Sequence, residues 1–173
     1  MNTPLKQAAR GAIWGLIATF PMSAVMLVGQ QFGWMKKQPP EILTEEAVER
    51  VDLREGASVE AVHAFAIANH FAFGAAGGVL YALLRSVVPR PAAVPTGIAF
   101  GLAIWATSYR GWIPAISILP AEQHPGRRGT VVMIAAHAAY GAMVGALSHQ
   151  AQRDDVESGN LRIEAWGEGV PEL

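Results

Sequence analysis

The sequence predicts an all-α membrane protein, a bundle of four transmembrane helices built from two tandem helical hairpins with pseudo-twofold symmetry, plus a short amphipathic helix. Three observations carry this. Four apolar runs each approach the roughly 20 residues that a hydrocarbon core requires. Hydrophobic residues make up 51% of the 173-residue chain and charged ones 16%, with a mean hydropathy of +0.26, which is apolar for a protein that must face water. The second and fourth runs also share one residue pattern in the same order. Lipid leaves no partner for a free N–H or C=O, so runs of this length must be helical rather than extended.

The first run, 11–32, follows Lys6 and Arg10 as a secretory signal would. It is longer than a signal core, lacks a small-x-small cleavage site, and precedes three more runs of similar length, so it reads as a span. The others are 62–84, 94–116 and 130–147. Between the first two, Pro39 and Pro40 stop the chain, and Ile42, Leu43, Ala47, Val48 and Val51 recur at helical spacing. The segment 41–54 is expected to lie on the membrane surface as an amphipathic helix, capped by Thr44 and with Glu45 and Glu46 in its first turn. Residues 1–148 form the transmembrane domain, and 149–173 read as a polar, peripheral tail. Lys and Arg divide nearly evenly between the two sides. The loop of Arg85 and Arg90, free of acidic residues, places both termini in the cytoplasm.

HFAFGAAGGVL from His70 matches HAAYGAMVGAL from His137, 67 residues later, in the pattern H-x-A-[FY]-G-A-x-x-G-x-L. GAIWGL from Gly11 and GIAFGL from Gly97 agree more loosely. Two copies of one hairpin entering in the same orientation imply a pseudo-twofold axis along the membrane normal. Small residues four apart let helix backbones approach closely, so Gly11 with Gly15, Gly74 with Gly78, Gly97 with Gly101 and Gly141 with Gly145 mark the helix-packing seams.

His70 and His137 stand four residues before a seam glycine, on the same helix face, and at matching depth. With Asn69 beside His70, and Arg110 in the same layer of the third span, they compose a candidate polar core. Charge inside a bilayer costs about 2.5–3.5 kcal/mol for an Arg at a helix centre, which makes function the default reading. Bland readings stand beside it: Arg110, between Tyr109 and Trp112 and before Pro114, can snorkel to the interface, and either histidine can be a neutral interhelical clasp. The paired placement admits two sharper alternatives, a haem b or another metal ion held by His70 and His137, and a proton-responsive cluster. His63, His124 and His149 lack repeat partners and suit surface or interfacial roles.

With no cysteine, the chain excludes disulfides, thiolate catalysis and thiolate metal sites. A net charge of −1 without basic clusters argues against nucleic acid. No G-x-S-x-G, H-E-x-x-H, Walker or G-x-G-x-x-G pattern stands in a suitable context, so no enzyme is expected.

In the proline-acid segment after the first span, in GLIATFPMSAVM and in the histidine-glycine spans, the chain resembles the YagU-like group of small bacterial inner-membrane proteins of unknown function, over most of residues 10–148. The resemblance implies an inner-membrane location and a loose association with survival in acid. It carries no catalytic residues. The expected role is non-enzymatic: a small transport or proton-handling component, or an accessory subunit, with the lipid bilayer and other membrane subunits or further copies of the chain as partners. A haem-binding electron carrier ligated by His70 and His137 is the alternative.

Overall fold

A computed structural model describes residues 4–50, 58–87, 92–115 and 126–167, and every regular element among these is helical. The first, α1 (Pro4–Gln31), carries Pro21 inside it, which membrane helices tolerate. It ends at Gly33, whose φ of 68° lies in the left-handed region where a glycine costs nothing. There Gly33 N–H donates to Gln30 O at 2.9 Å and Trp34 N–H to Gly29 O at 2.9 Å, closing the last turn.

The prolines that follow begin a helix rather than stop the chain. Helix α2 (Pro39–Arg50) opens on Pro39 and Pro40, positions whose N–H would have no intrahelical partner, and the Gln38 carbonyl accepts from Glu41 and Ile42 N–H. Thr44 is therefore one turn inside the helix, 3% exposed, and is not its cap. Lys37 pins the helix through Glu45 at 2.7 Å. Ile42 and Pro39 are buried, and α2 packs against α3 instead of lying alone on a surface. Residues 51–54, expected to continue it, lie outside the described residues.

Helix α3 (Val59–Val87) is started by Ser58, whose Oγ accepts from Ala61 N–H at 3.2 Å. Helix α4 (Ala93–Thr107) has 15 residues and passes without a break into a π turn, Ser108–Trp112, and then α5 (Ile113–Ala115). In the π turn Ile113 N–H reaches back five residues to Ser108 O, which widens the helix and advances its facing. Helix α6 (Arg127–Gly167) runs for 41 residues, about 60 Å at 1.5 Å per residue and twice a hydrocarbon core. The polar tail is thus not separate from the last span: its first nineteen residues or so continue the same helix. Asp155 in that extension holds Arg10 near the start of α1 in a two-pronged ion pair of 2.7 and 2.9 Å. Three helical segments are long and apolar enough to cross a membrane, Pro4–Gln31, Val59–Arg85 and Arg127–Ser158.

The predicted seams are where the helices meet. A methyl group built on Gly15 would overlap the Gly74 carbonyl oxygen, and one on Gly78 the Gly11 carbonyl oxygen, so α1 and α3 touch backbone to backbone. Likewise Gly97 opposes Gly141, Gly101 opposes the His137 carbonyl, and Gly145 opposes Ala93, joining α4 to α6. Equating GAIWGL with GIAFGL sets Gly97 in the place of Gly11. In the structure Gly97 lies over Gly141 as Gly15 lies over Gly74, so the third span is slid by one turn against that match.

Between hairpins the symmetry is not kept. A twofold exchange would copy the α1–α6 interface onto α4 and α3, yet α1 packs along α6 while α3 and α4 barely meet. The α1–α6 seam is the core, with Ala18, Met26, Met133, Ala136 and Val144 nearly or wholly buried, and with Val132 filling the notch at Gly29. At one end Tyr81 bridges α3 to α4, its hydroxyl donating to Ala93 O at 3.3 Å and its ring lying 5.1 Å from Phe100. At the other end the two helices part.

Enlarging a seam glycine has no room to relax, because the opposing atoms are backbone. Gly15→Leu and Gly141→Leu are expected to destabilise by at least the roughly 1–3 kcal/mol of overpacking, read as a lower unfolding temperature or aggregation in detergent. Gly111→Ala, where an added Cβ meets nothing within 4 Å, is expected to leave it unchanged or slightly raised.

Candidate functional site

Where α3 and α4 part, a cavity of about 260 Å³ remains. It is lined by Met22 and Met26 of α1, Met133 of α6, His70 and Phe73 of α3, Ile104 of α4, Tyr109 of the π turn, and Pro39, Leu43, Thr44 and Ala47 of α2. Its wall is mainly apolar and, among the described residues, contains no Asp, Glu, Lys or Arg. The place of α2 in this wall explains the burial of Thr44, which reading the helix as a surface element does not anticipate.

Both predicted histidines reach this one cavity from different helices, and Asn69 lines it as well. His137 is 6% exposed, and its Nδ1 lies 2.9 Å from Met133 O, one turn back on the same helix. A carbonyl only accepts, so Nδ1 carries the proton in that bond. The ring stands edge-on to Tyr109 at 6.4 Å. His70 is half-buried, edge-on to Phe71 at 6.1 Å, and its Nε2 is shut from solvent with no hydrogen-bond partner among the described residues. A buried polar nitrogen without a partner is costly in a folded protein, which makes the His70 ring an unusual feature of the wall.

Arg110 does not join them. It is exposed and absent from the cavity wall, whereas its neighbour Tyr109 lines it. The expectation extrapolated an α-helical phase through residues that form the π turn, and the change of pitch turns Tyr109 inward and Arg110 out. His63 sits at the surface, 3.6 Å from Glu41, and His149 is exposed; His124 lies outside the described residues.

Tyr140 is the functional-site residue whose weight the sequence conceals. In the shared pattern it matches Phe73, and the two differ by one hydroxyl. That hydroxyl donates to Gly74 O at 2.7 Å, tying α6 to α3 across the cavity where the two helices otherwise touch little, while Phe73 is 62% exposed at the cavity's edge. Tyr109, Ser108 and the three methionines carried no signal of their own, because aromatic and thioether side chains in apolar spans look like packing. Among the described residues no three His, Cys, Asp or Glu come together as a metal site.

The described residues are helical, three of their helices are long and apolar enough to cross a membrane, and a cavity lined by two imidazoles lies between them, which is compatible with a membrane protein. The chain belongs to the family of unknown function DUF6789, which matches residues 5–157 and so takes in both the cavity and the Arg10–Asp155 pair. The match does not tie it to the YagU-like group. No curated protein and no solved structure matches the chain.

Removing the Tyr140 hydroxyl leaves a helix carbonyl that keeps its own intrahelical partner. Tyr140→Phe is therefore expected to cost about 1 kcal/mol, measured as a lowered thermal midpoint, with faster amide exchange in α3 around Gly74. An unchanged exchange rate there would show that the bond does not tie α3 to α6.

Proposed function

We propose that this is a non-enzymatic inner-membrane protein of four crossings that handles a small uncharged molecule in the His70–His137 cavity, as a transport component. The observation that carries the reading is the cavity itself: set between helices, mainly apolar, without charged side chains among its described lining residues, and lined by the two imidazoles of His70 and His137. A proton relay is supported less well, since the wall offers two imidazoles and no carboxylate to share a charge with them.

The fourth crossing rests on α4, which at 15 residues is short of the roughly 20 needed. Its unbroken continuation through the π turn and α5 supplies the rest. Four crossings return the chain to its starting side, in keeping with the contact between Arg10 and Asp155. That side is the cytoplasm in this reading, for Arg85 in the last turn of α3 and Arg90 shortly after it in the sequence. Haem ligation by His70 and His137 is the second reading, favoured by the meeting of both imidazoles in one chamber. A cavity of about 260 Å³ is small for a macrocycle. A sample produced with haem precursor and lacking Soret absorption would remove it.

Because the chain has no cysteine, single introduced thiols report topology without background. Lys6→Cys and Arg153→Cys are expected to be shielded from an impermeant maleimide in intact cells, and Lys36→Cys to react. Opposite labelling of Lys6→Cys and Arg153→Cys would mean an odd number of crossings. For the role, proteoliposomes loaded with uncharged fluorescent solutes and a pH dye should release a solute faster than Ile104→Trp proteoliposomes, in which the cavity is filled. Equal rates for every solute would refute transport, and proton flux abolished by His70→Ala and His137→Ala would move the reading to proton handling.

A further inference from the structure

The chemistry of the cavity wall narrows what it holds. Among the described lining residues none is acidic or basic, so a charged ligand meets no side chain of opposite fixed charge there and would give up solvation without compensation. An uncharged occupant suits the wall best. A volume of about 260 Å³ lies just under the roughly 300–1,000 Å³ of pockets for drug-sized ligands, which suits one or two rings rather than a large cofactor.

The hydrogen-bonding sense follows from His137. Its Nδ1–H is used on Met133 O, so in the neutral ring Nε2 bears the lone pair. His137 belongs to the cavity wall, and Nδ1 is turned back to its own helix, which leaves the far edge of the ring for the cavity. A ligand matched to it must donate. A hydroxyl donates, so it suits this acceptor better than a carbonyl or an ether, which cannot.

The rest of the wall suits an aromatic body. Tyr109, Tyr140 and Phe73 offer ring faces and edges, and Met22, Met26 and Met133 offer thioethers, which make favourable contacts with aromatic rings. Phe73, 62% exposed, stands at the edge where α3 and α4 separate, on a face composed of apolar spans. Access from there favours a solute dissolved in lipid.

We propose that the cavity binds a membrane-soluble aromatic alcohol, a phenol or quinol, whose hydroxyl donates to His137 Nε2. This rests on the reading of the cavity as the working site, though not on transport, since binding is measured without a gradient.

The test uses the full chain in lipid nanodiscs with two probes of nearly one shape, 2-naphthol and its methyl ether 2-methoxynaphthalene. Binding is followed by probe fluorescence and corrected against empty discs. The naphthol is expected to bind about tenfold more tightly, the order of one satisfied against one unsatisfied buried acceptor. His137→Phe is expected to bring the ratio near one, and Ile104→Trp to abolish binding of both while far-UV circular dichroism is unchanged. Should the phenylalanine variant not fold, the wild-type ratio still decides. Equal binding of the two probes, preference for the ether, or no binding above empty discs overturns the proposal. A naphthol bound with its expected selectivity by a protein that moves no solute in proteoliposomes would refute transport and leave this inference standing.

Discussion

Backbone contact between helices is the constraint on which this molecule depends. In lipid, apolar side chains gain nothing by leaving one hydrocarbon surface for another, so helices are held by close packing. Here that packing is made at glycine. Gly15 against Gly74 and Gly97 against Gly141 bring carbonyl oxygens to the opposing chain so closely that no Cβ fits. Thr19 completes the first crossing, its hydroxyl satisfied by Gly15 O at 2.8 Å while its oxygen lies over Gly74. These crossings fix each hairpin as a rigid pair and set the height at which every other side chain stands.

What the hairpins do to each other is decided differently. No glycine seam joins α3 to α4, and the contact between pairs is made by α1 and α6 through methionine, alanine and valine. Two rigid pairs joined along one edge leave the opposite edge to be closed by whatever side chains reach across it. Tyr81 closes one end through Ala93 and Phe100. At the other end the π turn swings Tyr109 towards His137, Tyr140 reaches to Gly74, and the space between them is the cavity. The chamber is thus a consequence of unequal interfaces between similar hairpins, and α2 is positioned to line it by the tight turn at Gly33.

Much of this is legible in the sequence because it depends on local repetition. The glycine pairs four apart announce close approach, and all eight seam glycines make or adjoin such contacts. His70 and His137 each stand four residues before a seam glycine, and because α3 and α6 are unbroken α-helices there, that spacing keeps each on its seam's side of the helix; both line the cavity. Arg110 fails for the complementary reason: it lies in the π turn, where counting at 3.6 residues per turn gives the wrong face. Pro39 and Pro40 suggest an ending because proline interrupts helices, although at a first turn it starts them. The composition change after Leu147 suggests a peripheral tail, but α-helical geometry has no need of apolar residues once a stable span precedes it. The cavity was not legible at all. It arises from contacts between hairpins, and these follow from side-chain shapes summed over four helices rather than from any motif.

The two imidazoles show what such asymmetry does to matched residues. His70 and His137 occupy one position of a shared pattern, yet one ring is tied at Nδ1 to a carbonyl of its own helix and nearly wholly buried, while the other is half-buried with a stranded Nε2. Their difference comes from their neighbours. His137 lies on α6, which is packed on both α1 and α4, and its ring is wedged against Tyr109; His70 lies on α3, which is packed on α1 and α2 and is free towards α4. A symmetric pair of imidazoles would present two equal nitrogens to a ligand and suit an ion on an axis between them. An unequal pair, in a wall without charged side chains among the described residues, has one imidazole oriented by its own helix with an acceptor nitrogen left over, and that favours the single donated hydrogen bond proposed above over an ion shared between two rings.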